Sequence, residues 1–415
     1  MVKEEDWMFA ERIEASIGEA LSAIDRLADR NQAKVLEAFS EEQIADTHLF
    51  GSTGYGYDDR GREKLDALFA RVFGAQAGLV RPMIVSGTHA LSLGLFALLR
   101  PGDHLLYVTG MPYDTLHSVI GLRGEGQGSL REFGVTFDAV ALCEDGTPDY
   151  EAIGKAINKN TKVVAIQRSA GYAWRPALTM KQIAKIVEVV KKAAPKCLTF
   201  VDNCYGEFTD FVEPPEVGVD LTVGSLIKNP GGGLAPTGGY LVGTKVAIEQ
   251  VAYRLTAPGI GAECGSYENY RLFYQGLFIA PHTVAQALKC NLFAAKALSE
   301  AGFSCAPKVS EPRNDIVLRI ALQSAKNLVA FCQAIQRCSP IDSHVIPEPW
   351  PMPGYADPVI MAAGAFVQGS SIELSADGPL REPYIAYLQG GLTYSHGKIA
   401  ILQAIRDLKA VTFRD

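Results

Sequence analysis

The chain has 415 residues, 48% of them hydrophobic and 20% charged, with a net charge of −7. This is the composition of an ordinary globular protein, and the length suggests two domains plus termini rather than one simple core. An acidic chain without a basic stripe excludes nucleic acid as the expected partner.

The eight cysteines, at 143, 197, 204, 264, 290, 305, 332 and 338, show no CxxC pair and no metal-type spacing. In a chain of this size they read as reduced thiols. The first residues, Met1-Val-Lys-Glu-Glu-Asp, are charged and then amphipathic, without the apolar core of a signal peptide. No apolar run approaches the ~20 residues that span a bilayer. A cytoplasmic enzyme is the expectation.

Residues 4–45 carry apolar positions at helical spacing, among them Phe9, Ile13, Ile17, Leu21, Ile24 and Leu27, and predict one or two surface helices. A loop rich in glycine and tyrosine follows, from Gly51 through Tyr55, Tyr57 and Arg60 to Arg62. A helix is then expected at about 62–74. Beyond it, short apolar runs alternate with helical patterns. Strands are predicted at 79–85, 104–108, 162–167, 197–202, 220–224 and 239–242, with helices at 88–99, 114–121, 149–157, 179–193 and 246–254. That alternation argues for an α/β domain with a mostly parallel sheet. A long helix over about 268–300 leads into a smaller α+β part, with strands near 315–321 and 371–374 and helices near 324–337 and 398–410. The proline cluster at 346–353 reads as an ordered loop. The expected organisation is an N-terminal helical segment (1–50), a large α/β domain (51–285) and a small C-terminal α+β domain (286–415).

Two strand ends carry chemistry. The run Phe200-Val-Asp202 places an acid at the C-terminal end of a strand, where open α/β sheets bind ligands. The run Ser225-Leu-Ile-Lys228-Asn-Pro-Gly-Gly-Gly places a lysine after a second apolar run, 26 positions later. A Schiff-base lysine and an acid that keeps a pyridine nitrogen protonated are what pyridoxal phosphate chemistry needs. Desolvation is expected to lower the lysine's pKa and free its amine as nucleophile and base. Isolated lysines are usually surface charges, and Asp202 could equally be a helix N-cap or a Mg²⁺ ligand.

Upstream, Ser86-Gly87-Thr88 joins an apolar strand to a helix, and a helix N-terminus with a glycine suits a phosphate monoester. Simple N-capping by Ser86 or Thr88 is the competing reading. Neither GxxxxGK[ST] nor a GxGxxG after a first strand is present. Tyr113 follows the strand ending near 108 and could lie on a pyridine ring, or pack in a turn. Tyr205 could bond the cofactor's phenolic oxygen. Arg381 could clamp a substrate carboxylate, or form a surface salt bridge.

Taken together, Ser86-Gly-Thr88, Pro112-Tyr113, Asp202-Asn-Cys-Tyr205 and Ser225-Leu-Ile-Lys228 resemble the fold-type-I pyridoxal phosphate enzymes of the Cys/Met-metabolism branch. More closely, Gly54-Tyr-Gly-Tyr-Asp-Asp-Arg60-Gly-Arg62, Val85-Ser-Gly-Thr-His-Ala90, Pro112-Tyr-Asp-Thr115 and Gln368-Gly-Ser-Ser-Ile-Glu-Leu-Ser375 resemble the methionine γ-lyase-like, aluminium-resistance family.

The resemblance covers about residues 45–400. It implies a three-layer α/β/α domain with a mostly parallel seven-stranded sheet. It also implies Lys228 as the Schiff-base lysine, Asp202 as pyridinium partner and Tyr113 as stacking ring and proton donor. Phosphate contacts would come from Gly87, Thr88 and Ser225. Tyr57 and Arg60 would reach the phosphate of a neighbouring subunit, which makes a homodimer or homotetramer with shared sites.

The chain departs from the mainstream branch at Cys204 and Ile227, where that branch has threonines, and in a stretched loop where Tyr55 or Arg62 could take those roles. The implied activity is carbon–sulfur lysis of a sulfur amino acid by α,β- or α,γ-elimination. An aminotransferase-type enzyme, or a non-catalytic pyridoxal phosphate-binding protein in metal tolerance, are the alternatives.

Overall fold

The computed structural model describes residues 2–124, 126–352 and 357–412. The last proline of the 346–353 cluster lies outside them. The N-terminal pattern forms one helix, α1 (Glu4–Glu41), of 38 residues. Its buried Ala10, Ile13, Ile17, Val35 and Ala38 keep helical spacing along its inner face.

The large domain runs in chain order through α2 (Arg60–Val72), β1 (Ala77–Arg81), α3 (Gly87–Leu98), β2 (His104–Tyr107), α4 (Asp114–Ile120) and β3 (Thr136–Ala139). It continues through α5 (Tyr150–Ala156), β4 (Thr161–Gln167), α6 (Met180–Ala193), β5 (Leu198–Asp202), β6 (Leu221–Ser225), β7 (Gly239–Gly243) and α7 (Lys245–Leu255). The strands make a seven-stranded sheet in the order β1-β7-β6-β5-β4-β2-β3, in which β7 alone runs against the others.

Side chains alternate across the sheet as the two-residue period of a strand requires. Leu105, Tyr107, Val163, Ala165 and Phe200 pack with α3 and α7 on one face. Leu106, Val164, Ile166 and Val201 pack with α5 and α6 on the other. Burial on both faces is what the near-continuous apolar strands encode.

Next, α8 (Arg271–Glu300) runs without interruption past residue 285 into the small domain. There β8 (Ser304–Ala306), β9 (Val317–Ala321), α9 (Ala325–Arg337), β10 (Val359–Ala362), β11 (Ser375–Pro379) and β12 (Ile385–Gln389) precede α10 (Tyr394–Thr412). The strands form an antiparallel sheet in the order β10-β11-β12-β9-β8. One core joins this sheet to α9, α10, the second half of α8 and the start of α1.

Two expectations need correcting. Residues 82–85 are a turn rather than the end of β1. The strand expected near 371–374 is a loop, built around the buried carboxylate of Glu373, which accepts the N–H groups of Phe366 (2.8 Å) and Val367 (2.9 Å). The strand starts one residue later, on Ser375-Ala-Asp-Gly-Pro, a poor strand sequence held by pairing on both edges.

Candidate active site

The cavity lies at the C-terminal ends of β4, β5 and β6 and is closed from the other side by the small sheet. Its first wall is the start of α3. Ser86 caps that helix, its Oγ accepting from His89 N–H at 3.0 Å. Capping and cavity lining therefore coexist at Ser86. Thr88 shares a 2.9 Å hydrogen bond with Thr115. A Cβ on Gly87 would stand 3.6 Å from Ser225 Cβ and 3.7 Å from Cys204 Sγ, in the space under the helix end. The Ser225 hydroxyl, buried there, has no hydrogen-bond partner. Unsatisfied N–H groups, an orphaned hydroxyl and a missing Cβ together make an anion cradle.

Lys228 enters from the turn after β6. The glycines beyond it let that turn lie against α8: a Cβ on Gly231 would sit 1.7 Å from the Leu226 carbonyl oxygen, and one on Gly276 would sit 2.3 Å from the Gly231 carbonyl oxygen. Gly232 and Gly233 adopt φ of +58° and +78°, which glycine takes without strain. Lys228 Nζ stands 3.9 Å from the centre of the Tyr205 ring. Burial pulls the lysine pKa down, as expected from sequence, but Cys204, Tyr205 and Asp202 outweigh it and the net shift is upward. The expectation of a lowered pKa fails in the chain by itself because a carboxyl group, a thiol and a phenol crowd the amine.

Asp202 ends β5, paired with Gln167 of β4. Its Oδ1 accepts from Cys204 N–H at 3.1 Å. Burial raises its pKa and Lys228 offsets part of that rise. Tyr205 follows at φ +73°, a conformation side chains rarely adopt, and this places its ring under the amine. Tyr113 precedes α4, its ring centre 5.9 Å from that of Tyr172. Gly171, at φ +58°, leaves the room this needs, since a Cβ there would come within 3.0 Å of Tyr113 Cδ2.

Ser86, Gly87, Thr88, Tyr113, Asp202, Tyr205 and Lys228 thus line one cavity, with Ser225 at its edge. Tyr57 and Arg60 do not line it; Tyr57 is exposed on the loop before α2, and Arg60, also exposed, is the first residue of that helix. Arg62 is committed within its own chain, donating to the carbonyls of Gly56 (2.6 Å), Gly265 (3.0 Å) and Glu263 (3.2 Å). Arg381 is not brought to the cavity either. It lies in the turn between β11 and β12, half exposed, and bonds Asp357 at 3.0 Å.

The small domain contributes residues that sequence reading missed: Asp377, Tyr387, Gln389 and Val317. Gln167 and Tyr172 were missed as well. For Gln167 a signal existed, a polar residue closing an apolar strand beside the one that ends in Asp202.

The Methionine gamma-lyase family model matches residues 7–409. The chain belongs to this family. It is 53% identical over 401 residues to an uncharacterised protein, YnbB, of Bacillus subtilis (strain 168), covering 96% of this chain and 95% of that one. The solved structure of a candidate cystathionine beta-lyase involved in aluminium resistance, from Listeria monocytogenes, is 50% identical with a TM-score of 0.94, covering 97% of this chain and all of that one. A carbon-sulfur lyase involved in aluminium resistance from Clostridium novyi is 51% identical with a TM-score of 0.93, over 97% of this chain and 96% of that one. The family and these structures carry the fold-type-I architecture and point to a lyase. Among the described residues, no helix is long and apolar enough to cross a membrane.

Proposed function

We propose that the protein is a pyridoxal phosphate-dependent carbon–sulfur lyase of the cytoplasm, releasing a thiol, ammonia and a 2-oxo acid from a sulfur-containing amino acid. The observation that supports it most is the convergence of Lys228, Asp202 and the start of α3 on one cavity. The cradle of Gly87, Thr88 and Ser225 fits the phosphate, Lys228 the aldehyde carbon, and Asp202 the ring nitrogen. When bound, the cofactor supplies a covalent link to the substrate amine and an electron sink for the electrons left at Cα.

The chain's residues do the rest. With the cofactor bound, the Lys228 amine would be the base that takes the substrate's Cα proton. Asp202, held by the Cys204 N–H, keeps the ring nitrogen protonated. Tyr113, on the cavity wall, would hold the cofactor ring and supply a proton to the departing sulfur. The walls of Tyr172, Tyr205 and Tyr387 keep water from the reacting atoms. The protein works as a homodimer or homotetramer, in which Tyr57 and Arg60 reach the phosphate of the neighbouring subunit.

Borohydride reduction of the cofactor-loaded protein, followed by peptide mapping, should put the label on Lys228, and Lys228→Ala should abolish both label and keto-acid release. A label on another lysine would refute the assignment. Accumulation of pyridoxamine phosphate in place of keto acid and thiol would refute lysis in favour of transamination.

A further inference from the structure

We infer that Asn229, the residue after Lys228, is a positioning residue for the proton transfer at Cα. Its amide clips the turn after β5 to the turn after β6, and so keeps the Tyr205 ring under the Lys228 amine. The inference rests on the lyase reading above and deepens it.

The two turns carry their chemistry on separate strands. Asp202 ends β5 and Tyr205 follows it; Ser225 ends β6 and Lys228 follows that. The strands pair as far as Asp202 and Val223, and Asn203 N–H then donates to the Val223 carbonyl at 2.9 Å. The ladder does not reach the residues that matter, and Asn229 supplies the link instead. Its Nδ2 donates to the carbonyls of Tyr205 and Glu207, each at 3.0 Å.

Asn229 is fully buried, and its Oδ1 takes no hydrogen bond. A buried acceptor without a donor is costly, a cost that an apolar side chain filling the same space would avoid. The amide is therefore there for its two donors. Tyr205 needs such a hold, because its φ of +73° is one that side chains rarely adopt. Freed from the clip, the residue would relax towards negative φ and carry its ring away from the lysine.

The ring's task follows from its place. Lys228 Nζ stands 3.9 Å from the ring centre, within reach of a cation–π contact. Burial favours the neutral amine, while Cys204, Tyr205 and Asp202 together favour the ammonium and prevail. Glu207 and Asp377 also feel the lysine's charge. As the base at Cα, Lys228 ends the transfer as an ammonium. A ring face that stabilises the ammonium more than the free amine favours that step rather than the state before it.

Two measurements read the amine in opposite directions. In the cofactor-loaded enzyme, exchange of the Cα proton of L-norleucine in deuterium oxide, followed by NMR, reports the transfer without a leaving group. Asn229→Ala should slow it about 2- to 30-fold, the span of a cation–π contact. In the cofactor-free chain, cyanate modifies Lys228 only as the free amine, and peptide mapping reads the rate. Asn229→Ala should speed this modification by a similar factor and leave the other lysines unchanged. Asn229→Ser, which keeps one donor, should fall between parent and alanine in both assays. Tyr205→Leu should reproduce both changes, and Asn229→Ala should add nothing to it.

Rates unmoved by Asn229→Ala and Asn229→Ser overturn the assignment, as does a further effect of Asn229→Ala on Tyr205→Leu. Faster modification of every lysine alike also overturns it, since that is a general loosening of the fold. Parent enzyme that binds cofactor yet exchanges no Cα proton refutes the lyase reading, and the cyanate rates then decide the clip by themselves.

Discussion

Gly87→Ala separates a ligand-binding glycine from a structural one. No positive φ is required at Gly87, and the added Cβ would meet Ser225 Cβ at 3.6 Å and Cys204 Sγ at 3.7 Å, ordinary contact distances. The protein alone should therefore accept the methyl. Alanine also loses less backbone entropy than glycine on folding, a gain of at most about 0.5–1 kcal/mol. The melting temperature without cofactor should stay level or rise by about 1–2 °C, given the small shift per kcal/mol in a chain this long. Cofactor binding should behave in the opposite way. The methyl fills the space under α3, so the phosphate loses one or two hydrogen bonds, each worth about 1.5–3 kcal/mol to a charged group. A loss of about 2–4 kcal/mol weakens binding about 30- to 1000-fold. Absorbance titration with pyridoxal phosphate measures the affinity, and calorimetry of the cofactor-free protein measures stability. Affinity within threefold of the parent would refute the cradle. A melting temperature lowered by about 5 °C or more would make Gly87 a packing glycine instead.

Further outcomes follow from the same geometry. Asp202→Asn removes a buried charge whose pKa burial has already raised, so the protein should fold as well as before while kcat falls about 10²–10³-fold; unchanged kcat with bound cofactor would refute its role at the ring nitrogen. Glu207 is fully buried, bonded by the Tyr240 hydroxyl at 2.8 Å, and burial pushes its carboxyl from 4.5 up to about 8. The folded chain then holds a proton that the unfolded chain has released, so stability is full below pH 4.5 and declines as pH rises towards 8. Glu207→Gln should remove that decline, stabilising the protein more at pH 8.5 than at pH 5, by up to about 5 kcal/mol; equal shifts in chemical denaturation midpoints at both pH values would sink this account. For the shared site, Arg60→Ala and Lys228→Ala chains, each inactive, should recover about a quarter of the parent activity when refolded together, because half the mixed dimers' sites are intact. No recovery would place Arg60 in its own subunit's chemistry.

What sequence could and could not show divides along physical lines. The strands of the large sheet are buried on both faces, so β4, β5 and β6 appear as largely apolar runs, and the polar residues at or just beyond their ends, Asp202 and Lys228, stand out. β3 was missed because it is an edge strand with mostly exposed side chains and no apolar signal. β11 was placed too early in the chain for a different reason. Its Ser-Ala-Asp-Gly-Pro sequence has low strand propensity and is strand only because β10 and β12 pair with it. That matters for function, since β11 carries Asp377 and its neighbour β12 carries Tyr387 and Gln389. The cofactor end of the cavity comes from local turns, where one residue type is tied to one task and short motifs survive as signals. The substrate end comes from a sheet far along the chain, where the roles depend on cross-strand register. Arg381 shows the consequence: a plausible charge eight residues before Gln389 lies in the hairpin turn, while the register puts a carboxylate into the cavity. Residue type alone therefore does not say which side chain of such a sheet enters the cavity; of the two readings open for Arg381, the salt bridge is the one the structure shows, with Asp357.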